Sequence, residues 1–314
     1  MSSKFVQAFE ERKLILTEGS IIERLRRGFN YALDDNLLNA AMLYDDAGRK
    51  ILEEIYSGYI KLGLDENLPV IILTPTWRAN SLRISNSQFA DKNINRDAFE
   101  FLNNIRNKFF SNEDIFIGGL MGVKGDSYKP EVALNRDEAY LFHSWQAKQL
   151  AEAGVDFLIA STVPSLKEGT GIAKAMAAQN IPYIISFVIH PVGSLLDGTM
   201  LDEAIKYIDS KIEPTPLAFM VNCVHPSIFI KALEQFEADN IIYKRLYGLQ
   251  ANASDKSPEE LDNADVLHSD DPLNWGILMA DLSNRYKMKV LGGCCGTGSK
   301  HIKCLTENLI ESKE

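Results

Sequence analysis

The sequence predicts a single α/β domain, residues 1–314, folded as a (β/α)8 TIM barrel with long loops on its C-terminal face. Three observations lead to this prediction. Short apolar runs recur along the chain, segments with helical spacing lie between them, and the chain has about the length that eight strand–helix units need.

The apolar runs have the character of buried parallel strands. They are short, mostly apolar on both faces and bounded by glycine, proline or polar residues, which is typical of a parallel sheet covered on both sides by helices. In chain order, the predicted strands are Leu14–Gly19, Val70–Thr74, Ile115–Leu120, Phe157–Thr162, Tyr183–Ile189, Leu217–Asn222, Arg245–Gln250 and Lys289–Gly293.

The segments between these runs have the spacing of amphipathic helices. Asn135, followed by Glu138, predicts a capping box, and Ser165 with Glu168 predicts a helix start of the same kind. The predicted helices are Asp46–Leu62, Asp97–Phe109, Arg136–Glu152, one beginning at Ser165, Leu201–Ile208, Ser227–Phe236, Pro272–Tyr286 and Lys300–Ile310.

Three connections are long and irregular, at residues 80–95, 121–135 and 250–271. Each follows a predicted strand, which in a barrel places it on the C-terminal face, where active sites lie. An open doubly wound sheet is the alternative fold. The segment after the first strand, Glu18–Ile22, lacks the glycines of a phosphate-binding loop, so the closed barrel is favoured.

Composition and charge exclude several classes of protein. The net charge is −10, the pI is about 5.1 and there is no long basic run, so nucleic acid is not an expected partner. No apolar run approaches the roughly 20 residues of a membrane helix, and the first residues lack the apolar core of a signal peptide. Four cysteines are too few for a disulfide framework, so we expect a reduced, cytoplasmic location. The sequence does not indicate an oligomeric state.

Cysteines follow two of the predicted strands. Cys223 follows the sixth, and the adjacent Cys294 and Cys295 follow the eighth. Neighbouring side chains on a regular strand point to opposite faces, but the three glycines within Gly292–Gly296 relax that constraint because glycine reaches conformations that other residues avoid. Since both strand ends open onto one face of a barrel, we expect the three thiols to meet there.

Three thiolates with one open position are typical of a catalytic Zn²⁺ site, so the sequence predicts zinc as the cofactor. Coordination of an incoming thiol lowers its pKa from about 8.5, which makes it a nucleophile at neutral pH. The alternative is that these are small core residues, since free cysteine is often buried. Cys304, within the last predicted helix, is interpreted as core. His225 is a further candidate ligand, although His-Pro at a helix start is more often structural.

These residues carry a resemblance to a known family. Asn222-Cys223 after a strand, and Gly292–Thr297 followed by His301-Ile302, are similar to the zinc-binding signature of the homocysteine S-methyltransferase family. Weaker similarities fall in the same order along nearly the whole chain, at Glu18-Gly19, Glu23–Arg27, Thr74–Ala79, Gly125–Tyr128, Phe142–Gln146, Leu150–Asp156, Leu196–Gly198 and Gln250–Ser254.

The resemblance implies a zinc-dependent methyltransferase of methionine biosynthesis. A sulfonium or ammonium donor (S-methylmethionine, S-adenosylmethionine or betaine) would give a methyl group to the thiol of homocysteine or a related thiol. The expected partners are therefore a small-molecule thiol acceptor and a methyl donor. Folate and cobalamin donors are not expected, because the barrel uses the whole chain.

The sequence departs from the family pattern at the two acids expected to hold the amino group of homocysteine. Glu18, before Gly19, stands where Asp is usual and keeps the charge on a longer arm. Ser161, before Thr162, stands where Glu is usual and removes a charge, and one charge-assisted hydrogen bond is worth about 1.5–3 kcal/mol. The alternative function is therefore an altered family member that binds or methylates a different thiol.

The resemblance also assigns the remaining candidate residues. Trp77 and Arg78 stand where Tyr and Gln are more usual. Trp77 would stack on a cationic methyl donor or form the wall of the barrel mouth, and Arg78 would pair with a substrate carboxylate or remain solvated. The candidate catalytic residues are Glu18, Ser161 and Asn222, and the candidate substrate-binding residues are Glu18, Gly19, Thr76, Trp77, Ser161, Thr162 and Asn252. Both asparagines would form hydrogen bonds with the substrate or orient the ligand loops, and loop capping is the alternative.

Two other classes of function compete with a methyltransferase. A zinc hydrolase that uses metal-bound water would favour histidine or carboxylate ligands over three thiolates. A non-catalytic binding protein on the same barrel would explain Ser161. The three cysteines favour the methyltransferase.

Overall fold

The computed structural model describes residues 3–29, 31–109, 114–256 and 270–311. Within them, eight parallel strands form a closed barrel in chain order, which confirms the predicted fold. The strands are β1 (Ile15–Thr17), β2 (Val70–Leu73), β3 (Ile115–Met121), β4 (Phe157–Val163), β5 (Tyr183–Phe187), β6 (Ala218–Asn222), β7 (Leu246–Ala251) and β8 (Val290–Gly293). Each coincides with a predicted strand, with small differences at the ends.

The barrel closes at β1, which is the shortest strand and pairs on both sides. Leu16 lies in register with Val70 of β2 and with Leu291 of β8. Because all eight strands are parallel, their C-terminal ends meet at one face. The residues just after β1, β6 and β8 are therefore neighbours in space although they are far apart in sequence.

Helices surround the barrel, and most coincide with predicted ones. They are α1 (Lys4–Glu11), α2 (Asp46–Leu64), α3 (Ser81–Ser85), α4 (Ile94–Arg106), α5 (Arg136–Ala153), α6 (Leu166–Ala177), α7 (Leu201–Lys211), α8 (Pro226–Leu233), α9 (Ile242–Arg245), α10 (Pro272–Tyr286) and α11 (Ser299–Glu311). The capping box of α5 is confirmed, with Asn135 and Glu138 each bonded to the other's backbone N–H. The helix start at Ser165 is only half confirmed, because its side chain accepts from Glu168 N while the Glu168 carboxylate points elsewhere.

The unpredicted helix α1 covers the N-terminal end of the barrel. Phe5 stacks on Phe157 of β4, with ring centroids 4.1 Å apart, and meets Phe116 of β3 edge-on. Both Phe5 and Phe9 are buried with the interior side chains of the strands. This apolar packing closes one end of the barrel and leaves the other end for polar side chains.

The long connections contain short helical segments. The segment 80–95 includes α3, and 121–135 includes a single 3₁₀ turn at Pro130–Val132. Most of 250–271 lies outside the described residues. Parts of the predicted single domain 1–314 also lie outside them, so the bounds of that domain stay a prediction. No helix among the described residues is both long and apolar enough to cross a bilayer.

The close approach of β8 to β1 depends on glycine. A Cβ atom at Gly292 would lie 1.9 Å from Thr17 Oγ1 and 2.8 Å from Thr17 O. We therefore expect Gly292→Ala to lower the free energy of unfolding by about 2 kcal/mol or more, since overpacking of a tight interface forces the backbone apart. Urea unfolding measures this.

Gly58 in α2 is the matched control, because a Cβ atom there meets nothing within 4 Å. Gly58→Ala is expected to stabilise the protein by about 0.5–1 kcal/mol through helix propensity. Wild-type stability in Gly292→Ala would contradict the proposed constraint on barrel closure.

Candidate active site

A cavity of about 450 Å³ opens at the C-terminal face of the barrel. Most of the predicted site residues line it, which places residues from five different strand ends around one space. They are Glu18, Gly19, Trp77, Ser161, Thr162, Asn222, Cys223, Cys294 and Cys295. Thr76 and Asn252 do not line the cavity.

The three predicted cysteines meet in this cavity. Their sulfur atoms all lie within 4.8 Å of one another, with 2.7 Å between Cys223 and Cys294 and 4.0 Å between Cys294 and Cys295. All three are free thiols. Sulfurs at about 2.3 Å from a tetrahedral zinc ion would be about 3.8 Å apart, so a shift of about 1 Å at the closest pair gives that geometry.

The glycines around the cysteine pair act differently from the prediction. Gly292 and Gly293 belong to β8 and do not have the left-handed conformation, which only Gly296 adopts, with φ of 78°. At Gly293 a Cβ atom would lie 2.1 Å from Thr297 Oγ1. That hydroxyl donates to the carbonyl of Cys294 at 2.7 Å. The first two glycines therefore serve close packing, and the explanation from backbone freedom was wrong for them.

Asn222 forms hydrogen bonds with two residues whose backbone is strained. Cys223 and Thr162 both have positive φ, 59° and 60°, which is unfavourable for residues with a side chain and a genuine outlier for a β-branched one. Asn222 Oδ1 accepts from Thr162 N at 2.8 Å, and its Nδ2 donates to Thr162 Oγ1 at 2.7 Å and to Cys223 Sγ at 3.2 Å. This one amide therefore stabilises both strained residues and orients the thiol.

A bulge at the end of β4 brings two adjacent residues to the cavity. The pairing with β5 shifts between Ala160 and Val163, so that Ser161 and Thr162 both face the opening instead of opposite sides of the sheet. The hydroxyl of Ser161 is buried and has no hydrogen-bond partner among the described residues. A buried polar group without a partner inside a cavity indicates a contact with a ligand.

Glu18 places a buried carboxyl group at the end of β1. Its Oε2 accepts from Leu73 N at 2.8 Å, and its side chain lies beside the cavity. Burial raises the pKa of Glu18 to about 8, and the hydrogen bond from Leu73 opposes this only in part. The carboxyl group therefore needs a cation, such as the ammonium group of an amino acid, to ionise fully at neutral pH.

Comparison with known proteins identifies the family. The sequence model described as homocysteine S-methyltransferase matches residues 15–309, which is nearly the whole chain. The chain belongs to the homocysteine S-methyltransferase family. It is therefore an S-methyltransferase built on the predicted barrel.

Individual members of the family are distant relatives. The chain is 24% identical over 312 residues to homocysteine S-methyltransferase YbgG of Bacillus subtilis, covering 92% of each chain. It is 24% identical over 277 residues to homocysteine S-methyltransferase 2 of Saccharomyces cerevisiae, covering 82% of this chain and 80% of that one. The metallated form of the homocysteine methyltransferase MmuM from Escherichia coli has the same fold, with a TM-score of 0.74, 17% identity and coverage of 97% and 99%.

Tyr128 is a site residue that the sequence did not single out. It lines the cavity together with the three cysteines, and its hydroxyl lies near the sulfur of Cys223. Burial and the nearby cysteine sulfurs raise the pKa of Tyr128 well above its usual value. In the sequence, Tyr128 belongs only to the weak similarity at Gly125–Tyr128, and its position in a long loop gives no signal of its role.

A buried carboxylate fixes both ends of the loop that carries Tyr128. Glu168 of α6 accepts from Lys124 N at 3.0 Å and from Leu134 N at 3.2 Å. Its Oε1 also lies 3.0 Å from Nε2 of the buried His143 on α5. Glu168 therefore joins two helices to the segment 124–134, and this explains why it does not complete a capping box with Ser165.

Other predicted residues support the cavity from behind. Thr76 Oγ1 donates to Leu120 O at 2.7 Å, and Asn252 Nδ2 donates to the carbonyl of Cys223 at 3.0 Å. His225 caps α8 by accepting from Ser227 N, as its structural interpretation expected. Substrate contacts by Thr76 and Asn252 stay a prediction. The hydrogen bond from Asn252 to Cys223 favours the interpretation in which Asn252 orients a ligand loop.

The raised pKa of Glu18 predicts that the free energy of unfolding depends on pH. Its pKa is raised on folding, so the folded protein keeps a proton that the unfolded chain loses, and stability falls as the pH rises from about 4.5 to about 8. We expect Glu18→Gln to match the wild type at pH 4.5 and to exceed it by on the order of 4 kcal/mol at pH 8. Urea unfolding of substrate-free protein across this range measures the difference.

Glu54→Gln, at an exposed position of α2, is the control and should differ little from the wild type at every pH. A Glu18→Gln curve parallel to that of the wild type would contradict the buried, uncompensated carboxyl group.

The hydrogen bonds of Glu168 to the loop that carries Tyr128 predict a loss of stability when its carboxylate is removed. Glu168→Ala leaves two backbone N–H groups and His143 without their acceptor, and we expect a loss of about 3 kcal/mol in unfolding free energy. Glu152→Ala, which removes only an exposed pair with Lys148, should cost less than about 0.5 kcal/mol. Equal effects in the two variants would show that Glu168 does not anchor the loop.

Proposed function

We propose that the protein is a zinc-dependent methyltransferase. It transfers a methyl group from a sulfonium or ammonium donor, such as S-methylmethionine, S-adenosylmethionine or betaine, to the thiol of homocysteine or a related thiol. The observation that carries the proposal is the meeting of three cysteine sulfurs from β6 and β8 within 4.8 Å at a substrate-sized cavity. We also propose the role in methionine biosynthesis and the cytoplasmic location expected from the sequence.

The donor set supports zinc. Cys223, Cys294 and Cys295 offer three sulfurs, and hydrogen bonds from the other two thiols lower the pKa of Cys223 well below its usual value. Asn222 adds an N–H donor to the same sulfur. Zinc binds such a set and, when bound, lowers the pKa of an acceptor thiol taken into its open position. The metallated state of MmuM is further support.

The chain's own residues would bind and orient the two substrates. Glu18 offers a carboxylate to the acceptor's ammonium group, and the free hydroxyl of Ser161 adds a hydrogen bond at the opposite wall. Asn222 keeps Cys223 and Thr162 in place. The acceptor would react as its thiolate after its thiol proton has passed to solvent. The sulfur–methyl bond then forms as the donor's bond to the methyl carbon breaks, and the electron pair of the broken bond stays on the donor as a neutral sulfide or amine. The residues therefore supply alignment and do not need to donate a proton.

The metal ligands argue against a zinc hydrolase. A hydrolytic zinc site would use histidine or carboxylate ligands, whereas the cluster contains only cysteines. Homocysteine as the acceptor is supported by the B. subtilis and yeast relatives, both of which are homocysteine S-methyltransferases. Ser161 keeps the alternative of a different acceptor thiol as an outcome for the activity test.

Metal analysis tests the zinc site. Protein purified without chelator is expected to contain about one zinc ion per chain, and Cys294→Ala is expected to lose it because two thiolates hold zinc far more weakly than three. Cys304→Ala, in α11 outside the cavity, is the control and should retain the metal. Full zinc occupancy in Cys294→Ala would remove the basis of the proposal.

An activity matrix tests the reaction. Zinc-loaded protein is assayed with the three donors against homocysteine and other small thiols, and we expect methyl transfer to homocysteine from at least one donor. Transfer only to another thiol would establish the altered family member. Binding of a thiol amino acid without turnover of any donor would instead establish a non-catalytic binding protein.

A further inference from the structure

Two arginines line the cavity on the side formed by the loop after β2. Arg78 and Arg83 are both half-buried, and Arg78 directly follows Trp77, whose indole donates to the carbonyl of Ser161 at 3.4 Å. This pair of positive charges therefore shares one cavity with the cysteine sulfurs and with Glu18. The proposed reaction does not use either arginine.

The guanidinium of Arg78 is held in a fixed orientation. Its Cζ atom lies 4.4 Å from the centroid of the Trp77 ring, and Nη1 donates to the carbonyl of Gly125 at 3.2 Å. A stacked, hydrogen-bonded guanidinium presents its remaining N–H groups in a plane, which is the geometry for a bidentate contact with a carboxylate. The same stacking covers one face of Trp77 with a cation of the chain itself.

No carboxylate neutralises these charges at salt-bridge distance within the described residues. Arg78 bonds to Gly125 O and Arg83 to Asn36 O, both neutral carbonyls. Asp126 attracts Arg78 only from beyond salt-bridge distance, and its Oδ2 pairs with Lys129 Nζ at 3.7 Å. Two further carboxylates line the cavity near its rim: Glu23 pairs with Arg27 at 2.9 Å, and Asp35, next to Asn36, forms no salt bridge with either arginine among the described residues.

The electrostatics agree with this geometry. Burial and, to a smaller extent, the charge of Arg83 lower the pKa of Arg78 to about 10, and Asp126 opposes this only in part. The side chain remains protonated at neutral pH, so a half-buried cation faces a second cation without a counter-ion at salt-bridge distance. Such an arrangement is unfavourable on its own and becomes favourable when an anion binds.

We propose that Arg78, supported by Arg83, binds the carboxylate of a substrate and is a specificity-determining residue of the methyl transfer. This inference rests on the proposed function, because the carboxylate that Arg78 binds belongs to a substrate of that reaction. Glu18 follows β1 and Arg78 follows the neighbouring β2, so the same cavity holds a carboxyl group for a positive group and a guanidinium for a negative one, as a zwitterionic amino acid or betaine requires. The carboxylate has two possible sources, the thiol acceptor and the methyl donor.

Binding of matched carboxylate and carboxamide probes tests the inference. Calorimetry on the zinc-loaded protein compares L-methionine with L-methioninamide for the acceptor's place, and S-methylmethionine with its carboxamide for the donor's place. In at least one arm, the wild type is expected to prefer the carboxylate by about tenfold or more, the strength of a charge-assisted contact. The arm that shows the preference identifies the source of the carboxylate.

The variants decide whether Arg78 causes the preference. Arg78→Gln is expected to reduce it to about twofold, Arg78→Lys to an intermediate value, and Arg83→Gln to produce a smaller loss. Arg285→Gln, an exposed position of α10, is the control. Because each ratio compares two ligands on one protein, a partly unfolded variant weakens both and leaves the ratio unchanged.

Two results would overturn the inference: no carboxylate preference in either arm of the wild type, or a full preference in Arg78→Gln. Neither result touches the methyl-transfer assay, so the proposed function can survive the loss of this assignment. Conversely, an Arg78-dependent preference without turnover of any donor would keep the carboxylate site and remove the methyltransferase.

Discussion

Closure of the barrel between β1 and β8 is the constraint on which the site depends. Cys223 follows β6 and the cysteine pair follows β8, so their sulfurs meet only if these strands end at the same height on one face. β8 reaches that position by lying against Thr17 of β1 and against Glu18, which follows it, with Gly293 N donating to Glu18 O at 3.0 Å. The contact that closes the barrel therefore also sets Glu18 beside the cluster.

The site collects features that cost folding free energy. Two residues with positive φ, a carboxyl group with a raised pKa and an orphaned serine hydroxyl all surround one cavity. Each is unfavourable in the absence of a ligand. The opposite end of the barrel supplies compensation, since Phe5 and Phe9 of α1 bury an aromatic cluster there. Stability and chemistry are thus divided between the two ends of the fold, as in other barrels.

The sequence predicted the barrel well because its strands are local features. Eight apolar runs and the helices between them are visible without tertiary information, and the cysteines at two strand ends follow from the same reading. The missed features depend on contacts between distant segments. The Tyr128–Cys223 contact and the Glu168 hydrogen bonds to Lys124 and Leu134 join elements that no local pattern connects. Local rules even misled at Glu168, whose spacing from Ser165 predicts a capping box, because burial beside His143 competes for its carboxylate.

The distribution of charge in the cavity connects substrate recognition with the departures from the family pattern. Ser161 removes one of the two negative charges expected around an ammonium group, and the desolvated Glu18 gives up its remaining charge easily. Arg78 adds a positive charge, stacked on the Trp77 whose indole bonds to Ser161 O. In the proposed binding mode, recognition shifts from the ammonium end of a substrate toward its carboxylate end. A carboxylate held between two guanidiniums orients an amino acid as firmly as an ammonium held between two acids, because both are charge-assisted contacts in a partly desolvated site. The three cysteines, and with them the proposed methyl transfer, stay the same, while the charges that bind the two ends of the substrate differ from the family pattern.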